Sequence, residues 1–121
     1  MKHNESIEDY LESILIIGEK KPVVRSVDIA NELGYKKSSI SVAVKNMKEQ
    51  GFIEVSEEGY ISLTPVGLKR AKAIYERHKF FREWLISLGV DPKTANDDAC
   101  GMEHVISDKS FKAIKKAVSN D

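Results

Sequence analysis

The chain has 121 residues, with 19 Lys and Arg against 19 Asp and Glu, so its formal net charge is zero. Hydrophobic residues make up 41% and charged residues 31%, which is ordinary for one globular domain or two small fused ones and excludes a disordered or collagen-like chain. No apolar run approaches the ~20 residues of a membrane span, and the N-terminus lacks the apolar segment of a signal peptide, so we expect no membrane partner.

The first half of the chain has the pattern of a winged helix-turn-helix. Apolar residues at helical spacing predict three helices, followed by two short β-rich runs around a glycine-containing turn: residues 6–18, 26–33, 38–50, 52–55 and 60–63. Ser26 is the expected N-cap of the second helix, and Gly34 is well suited to follow its last residue. Two helices joined by a short turn and followed by a hairpin predict a DNA-binding domain over residues 1–64.

Three further helices are expected in the second half. The first spans residues 65–88, about 36 Å at a rise of 1.5 Å per residue, and repeats apolar residues at the a/d spacing of helix packing. His78 occupies one of these packing positions. Asp91 and Pro92 predict the start of a fifth helix, and a sixth follows the fifth. The predicted fold is therefore mainly α with a small β-hairpin wing.

The third helix carries a basic island inside an acidic domain. Residues 1–64 hold 8 basic and 11 acidic groups, but residues 36–48 contain four lysines and no acid. In a helix-turn-helix, the first turns of the second helix meet base edges, while hydroxyls and lysines hold phosphates. The alternative is an N-cap cluster with solvated lysines, but the wing behind the helix favours contact with double-stranded DNA. The candidate DNA-binding residues are Lys36, Lys37, Ser38, Ser39, Ser41 and Lys45.

Six residues of metal-binding types lie on three of the predicted helices. Three share one face of the fifth helix at i, i+3 and i+4, two share a face of the first helix, and one lies on the long helix. They are Cys100, Glu103, His104, Asp9, Glu12 and His78. Thiol, carboxylate and imidazole together suit a first-row divalent metal better than Mg²⁺ or Ca²⁺. Individual residues also have structural alternatives. Asp9 could form a capping box with Ser6, and Glu12 could be a solvated charge. His78 could be a core histidine, and Cys100 a small buried side chain.

Three segments carry a more specific pattern: Glu8–Glu12, Arg77–His78 and Asp97–Asp108. The third contains a Cys-x-x-Glu-His-x-x-Ser-Asp run. These segments resemble the diphtheria toxin repressor and manganese transport regulator family, from near residue 5 to near residue 118. The resemblance implies a homodimeric, metal-activated DNA-binding repressor of iron or manganese uptake genes, with residues 65–121 as the metal-binding and dimerisation domain. It implies the same six metal ligands, and the short form of the family without an SH3-like domain.

Two departures from the family pattern bear on the metal. Manganese regulators resemble this chain at Asp9 and Glu12 but have a glutamate at the position of Cys100, whereas iron regulators share the cysteine but usually have a methionine at the position of Asp9. We therefore expect Fe²⁺ or Mn²⁺ as the cofactor, with Co²⁺, Ni²⁺ or Zn²⁺ possible in vitro. Arg82 and Asn96 stand where iron regulators have two accessory ligands, so an iron-type accessory site is not expected.

The expected mechanism is that a cation joins the first helix to the dimerisation half. In a twofold dimer this sets the spacing of the recognition helices, which must match half-sites ~34 Å apart. One alternative is a metal-independent winged-helix regulator, and another is a winged helix that contacts only proteins. An enzyme with a small-molecule substrate is not expected, because the sequence has no nucleophile elbow, phosphate loop or HExxH helix. The single cysteine excludes an intramolecular disulfide and favours the cytoplasm.

Overall fold

The computed structural model describes residues 7–119, which form two compact units. The first unit extends to Ala73 and the second begins at Ile74, so the boundary falls inside a helix. The elements in chain order are α1 (Ile7–Lys20), α2 (Ser26–Leu33), α3 (Lys37–Glu49), β1 (Ile53–Val55), β2 (Ile61–Leu63), α4 (Pro65–Ser87), α5 (Pro92–Val105) and α6 (Asp108–Ser119). The mainly α fold with a hairpin wing is confirmed. Ser6, the expected start of α1, lies outside the described residues, as does its capping box.

The first unit packs its helices around one apolar core. The largest fully buried side chains of this unit are Leu11 of α1, Ile29 of α2, and Ile40 and Met47 of α3, each at most 1% exposed. Ile40 and Met47 lie two helical turns apart, so one face of α3 is committed to the core. The opposite face of α3 is exposed.

The start of α2 differs from the prediction in its cap. Ser26 is the first residue of α2 and not its N-cap, which is Arg25. The backbone N–H of Arg25 donates to Asp28 Oδ2 at 2.9 Å, and Lys21 Nζ lies 2.8 Å from Asp28 Oδ1. These hydrogen bonds, that of Lys21 first, lower the pKa of Asp28. The predicted end is confirmed, because Gly34 follows α2 in the left-handed region at φ 71°.

The wing is a two-stranded antiparallel hairpin. Ile53 pairs with Leu63 and Val55 with Ile61. The backbone N–H of Ile61 also donates to the Val24 carbonyl at 2.8 Å, which ties the wing to the segment between α1 and α2. The predicted hairpin is therefore confirmed.

The first turn of α4 is fixed against the end of α3. Thr64 Oγ1 donates to the Gly51 carbonyl at 2.6 Å and accepts from the Gly67 N–H at 3.1 Å. Gly67 is buried, and a Cβ built on it would collide with the carbonyl oxygen of Phe52. A side chain at position 67 would thus force α4 away from the first unit's core.

The second unit has its own core of aromatic side chains around α5. Phe81 of α4 and Phe111 of α6 meet edge to face with ring centroids 5.7 Å apart, and both contact the fully buried Ala99 of α5. Phe80 and Trp84 pack against this core from α4. Because α5 contributes small residues here, its backbone can approach the aromatic rings closely. None of the described helices combines the length and apolarity needed to cross a membrane.

Candidate metal centre

The candidate metal centre is built on α5, whose start is fixed by a side-chain cap. Asp91 Oδ2 accepts the backbone N–H of the residue three positions later at 3.0 Å, and Pro92 opens the helix, as predicted. This hydrogen bond lowers the pKa of Asp91. From this start the helix places Asn96, Cys100 and Glu103 at i, i+4 and i+7, on one face.

His78 of α4 meets that face of α5 with its Nδ1 atom. Nδ1 lies 3.6 Å from Cys100 Sγ and 3.7 Å from Glu103 Oε1. One donor atom from each of His78, Cys100 and Glu103 lies within 4.8 Å of the others. His104 Nε2 lies 3.6 Å from the same Glu103 oxygen. The structure thus brings together four of the six predicted ligands, with His78, Cys100 and His104 around the Glu103 carboxylate.

The surroundings of the Glu103 carboxylate indicate whether these residues fit a divalent metal. Its side chain is fully buried, and neither carboxylate oxygen has a hydrogen-bond partner among the residues that the structure describes. A buried carboxylate without such partners is costly, and a cation removes that cost. With the Cys100 thiol and the His78 imidazole, the donor set suits a first-row divalent ion and not Mg²⁺ or Ca²⁺. The residues therefore fit the metal.

The same contacts control the charge of His78. The contact of His78 with Cys100, followed by that with Glu103, raises the pKa of His78 to about 11, against the opposing effect of burial. A metal ion that binds Nδ1 must displace the proton from this atom.

Asn96 contacts the other nitrogen of the same imidazole. Its Oδ1 lies 2.9 Å from His78 Nε2. The sequence identified Asn96 only as a departure from the accessory site of iron regulators. Its position four residues before Cys100, on the face that carries the candidate ligands, was the signal that could have identified it.

Arg77, beside His78 in the chain, closes the end of α5. Its Nη1 donates to the carbonyls of Glu103 and Ile106 at 3.2 and 2.6 Å, and its Nη2 lies 2.7 Å from Asp108 Oδ1. The guanidinium also lies over the Phe111 ring, 5.4 Å from its centroid. Arg77 therefore satisfies carbonyls at the C-terminus of α5 that have no partner within the helix. Its hydrogen bond to Asp108 also lowers the pKa of that carboxyl.

Asp9 and Glu12 belong to α1 in the first unit. Their exposures are 9% and 8%, so both carboxyl side chains are buried. Glu12 is therefore not the solvated charge that the sequence left open. Their role as metal ligands stays a prediction.

Two family descriptions match successive parts of the chain. "Iron dependent repressor, N-terminal DNA binding domain" matches residues 2–61, and "Iron dependent repressor, metal binding and dimerisation domain" matches residues 64–120. The chain belongs to the iron-dependent repressor family. The resemblance drawn from the sequence is thereby confirmed.

The relatives of this repressor-family chain are transcriptional regulators. An HTH-type transcriptional regulator of Methanocaldococcus jannaschii is 35% identical over 114 residues, covering 93% of this chain and 91% of that protein. The transcriptional regulator MntR of Salmonella typhimurium is 36% identical over 110 residues, covering 91% and 70%. A solved structure of a manganese-dependent transcriptional repressor in complex with manganese is 27% identical with a TM-score of 0.86, covering 94% of this chain and 53% of that one. The chain thus spans about half the length of that solved protein. These relatives confirm the expectation of a regulator and not an enzyme.

The predicted DNA-binding residues of this repressor-family chain lie at the start of α3 and on its free face. The N-cap of α3 is Lys36, which forms no side-chain cap hydrogen bond, so no serine caps this helix. Ser39 is half-buried, and the other five candidates are exposed: Lys36, Lys37, Ser38, Ser41 and Lys45. Val42, which the sequence reasoning missed, is 61% exposed on the same face. Its position between Ser38 and Lys45, at i+4 and i−3, was the available signal.

Proposed function

We propose that this chain is a metal-activated DNA-binding repressor that acts as a homodimer in the cytoplasm and controls iron or manganese uptake genes. The observation that carries the proposal is the buried Glu103 carboxylate, which lacks a hydrogen-bond partner within residues 7–119 and lies beside His78 and Cys100. The family descriptions support it, since they name DNA binding, metal binding and dimerisation. The division into a DNA-binding part, residues 1–64, and a metal-binding and dimerisation part, residues 65–121, belongs to the same proposal.

The proposed ligand set draws on both parts of the chain. Its six members are Asp9, Glu12, His78, Cys100, Glu103 and His104. Asp9 and Glu12 are both buried and lie three residues apart on α1, which places two carboxylates on one face of that helix and supports their inclusion. A cation that takes ligands from both parts favours one arrangement of the DNA-binding and dimerisation domains, and so shifts the population towards the DNA-binding form. By linkage, operator DNA tightens metal binding by the same factor, typically ~5–150-fold.

The proposed cofactor is Fe²⁺ or Mn²⁺. The Cys100 sulfur favours the softer Fe²⁺, whereas the carboxylates favour Mn²⁺. One similar solved structure is a manganese complex, which supports the second choice. Co²⁺, Ni²⁺ and Zn²⁺ should also bind in vitro, because intrinsic affinity generally increases from Mn²⁺ towards the later metals.

The proposed DNA partner is a double-stranded operator with two half-sites. The six α3 candidates would supply the contacts, with lysines on phosphates and serines close to base edges. The exposure of five of these six residues supports the assignment. The Ser39 side chain is half-buried and is the least accessible of the set.

Operator binding titrated with metal tests the proposal. An operator would be selected from random duplex DNA with the full chain and Mn²⁺, and fluorescence anisotropy would then be measured anaerobically with Mn²⁺, Fe²⁺, Co²⁺ and Zn²⁺. We expect wild-type protein to bind the operator only when metal is present. Glu103→Gln should lose this metal-induced binding. Glu83→Gln, the same change at an exposed position of α4, is the matched control and should bind as the wild type does. Equal, metal-independent binding by wild type and Glu103→Gln would instead support a metal-independent winged-helix regulator.

A further inference from the structure

We propose that Asn96 is a positioning residue that holds the His78 imidazole with Nδ1 directed at the metal ligands of α5. The inference rests on the proposed metal site. It assigns to Asn96 a role that is neither that of a ligand nor that of a structural cap. The carrying observation is the 2.9 Å contact between Asn96 Oδ1 and His78 Nε2.

The contact determines which nitrogen of the ring is available. A neutral imidazole has one N–H and one free nitrogen, and the hydrogen bond made by the first decides which nitrogen can bind a metal. The amide oxygen of Asn96 can only accept a hydrogen bond, so His78 Nε2 must carry a proton and donate it. Nδ1 is then the nitrogen left to the metal, and it is the atom that faces Cys100 and Glu103.

The arrangement also fixes the orientation of the ring. α5 supplies both the partner of Nε2 and, one turn later, the groups that face Nδ1, with Asn96 and Cys100 about 6 Å apart along the helix axis. A rotation of the ring by half a turn would remove the Asn96 hydrogen bond and turn Nδ1 away from Cys100. Because one rigid helix contacts both nitrogens, the ring is oriented before a metal arrives.

Metal affinity is the first test. Wild-type protein, Asn96→Ala, Asn96→Leu and Asn96→Asp would be titrated anaerobically with Co²⁺, and the thiolate-to-cobalt absorption would report coordination by Cys100. Loss of a partner that orients a metal-binding histidine typically weakens metal binding ~10–100-fold, which we expect for the alanine and leucine variants. Asn96→Asp keeps an acceptor oxygen at the same length and should bind no more weakly than wild type. Asn31→Ala, at an exposed position of α2, is the matched control and should leave the affinity unchanged.

The second test observes the ring directly. In ¹⁵N-histidine-labelled protein loaded with Zn²⁺, long-range ¹H–¹⁵N spectra show which ring nitrogen is protonated and which is metal-bound. We expect a slowly exchanging Nε2 proton on His78 in the wild type and in Asn96→Asp, and its loss or rapid exchange in Asn96→Ala and Asn96→Leu. Unfolding of the metal-free variants should match the wild type, which separates positioning from a general loss of structure.

Two results would overturn these ideas in different ways. If Asn96→Ala and Asn96→Leu kept both the wild-type Co²⁺ affinity and the protected Nε2 proton, the role of Asn96 would be refuted while the metal site stood. If wild-type protein gave no thiolate-to-cobalt absorption, the metal centre itself would be refuted, and the role of Asn96 with it.

Discussion

Gly67 lies so close to Phe52 that a Cβ on the glycine would collide with the carbonyl oxygen of the phenylalanine. Gly67→Ala should therefore push the first turn of α4 away from the core and destabilise the protein by ~1–3 kcal/mol, as overpacking does. Gly18→Ala is the control, because the nearest atom to its new Cβ would be Val24 Cγ2 at 4.0 Å. Because Gly18 lies within α1, Gly18→Ala should raise the free energy of unfolding by ~0.5–1 kcal/mol. Urea unfolding of the metal-free proteins measures both, and equal stability of the two variants would contradict the predicted close contact.

Removal of the Arg77 side chain should loosen the end of α5. Arg77→Met leaves the carbonyls of Glu103 and Ile106 without their donor, at a cost of roughly 1–3 kcal/mol. The same substitution at Arg70, which is 52% exposed and lies 3.5 Å from Glu8, should cost ~0–1 kcal/mol. Amide hydrogen exchange should show lost protection in the last turn of α5 for Arg77→Met alone. Unchanged protection there would show that the guanidinium does not secure the helix end.

The metal-free protein should lose stability as the pH rises. The pKa of His78 is raised from 6.5 to about 11 in the folded state, mainly by its contact with Cys100, so the folded state holds this proton more tightly than the unfolded state does. The resulting stabilisation is fully present below the unfolded-state pKa of 6.5 and is lost as the pH rises towards about 11. Urea unfolding at about pH 6 and about pH 9 measures the slope. His78→Gln should flatten it, and a slope that survived the substitution would have to come from another group.

Replacement of Lys45 should change how steeply the affinity for DNA falls with salt concentration. If Lys45 contacts a phosphate, Lys45→Ala should weaken binding to all sequences and reduce the slope of log K against log salt by about 0.9. Lys116→Ala removes the same exposed charge from α6 and serves as the control. Anisotropy titrations over a range of salt concentrations give both slopes. If the two variants had the same slope, Lys45 would not be a phosphate contact.

Local patterns were sufficient to predict most of the fold. Asp91 and Pro92 predicted the start of α5 because the cap and the first-turn proline act within four residues. Ser26 failed as a cap because α2 begins one residue earlier than expected, with Arg25 as the N-cap and its backbone N–H bonded to Asp28 Oδ2. The helix predicted over residues 65–88 ends at Ser87, and Leu88, the last residue of that prediction, is 65% exposed.

The candidate site was predictable to the extent that it lies on one helix. The spacing of Cys100 and Glu103 guarantees a shared face, and the α5 geometry agrees with it. The contacts of His78 and Arg77 with α5 depend on tertiary packing, since they join residues more than twenty positions apart. Asn96 shows the difference, because its place on the ligand face was readable but its hydrogen bond to a histidine on α4 was not.

The position of Ala71 bears on how the DNA-reading part can be produced by itself. This residue lies on α4, beyond residue 64, yet it is fully buried in the core that α1, α2 and α3 build. A fragment that ends at residue 64 would lack Ala71 and the first turn of α4, which contains Gly67. It would leave the apolar core of the first unit open to water. An expression fragment that retains the helix through Ala73 keeps the interior closed, and its soluble yield should exceed that of the shorter piece.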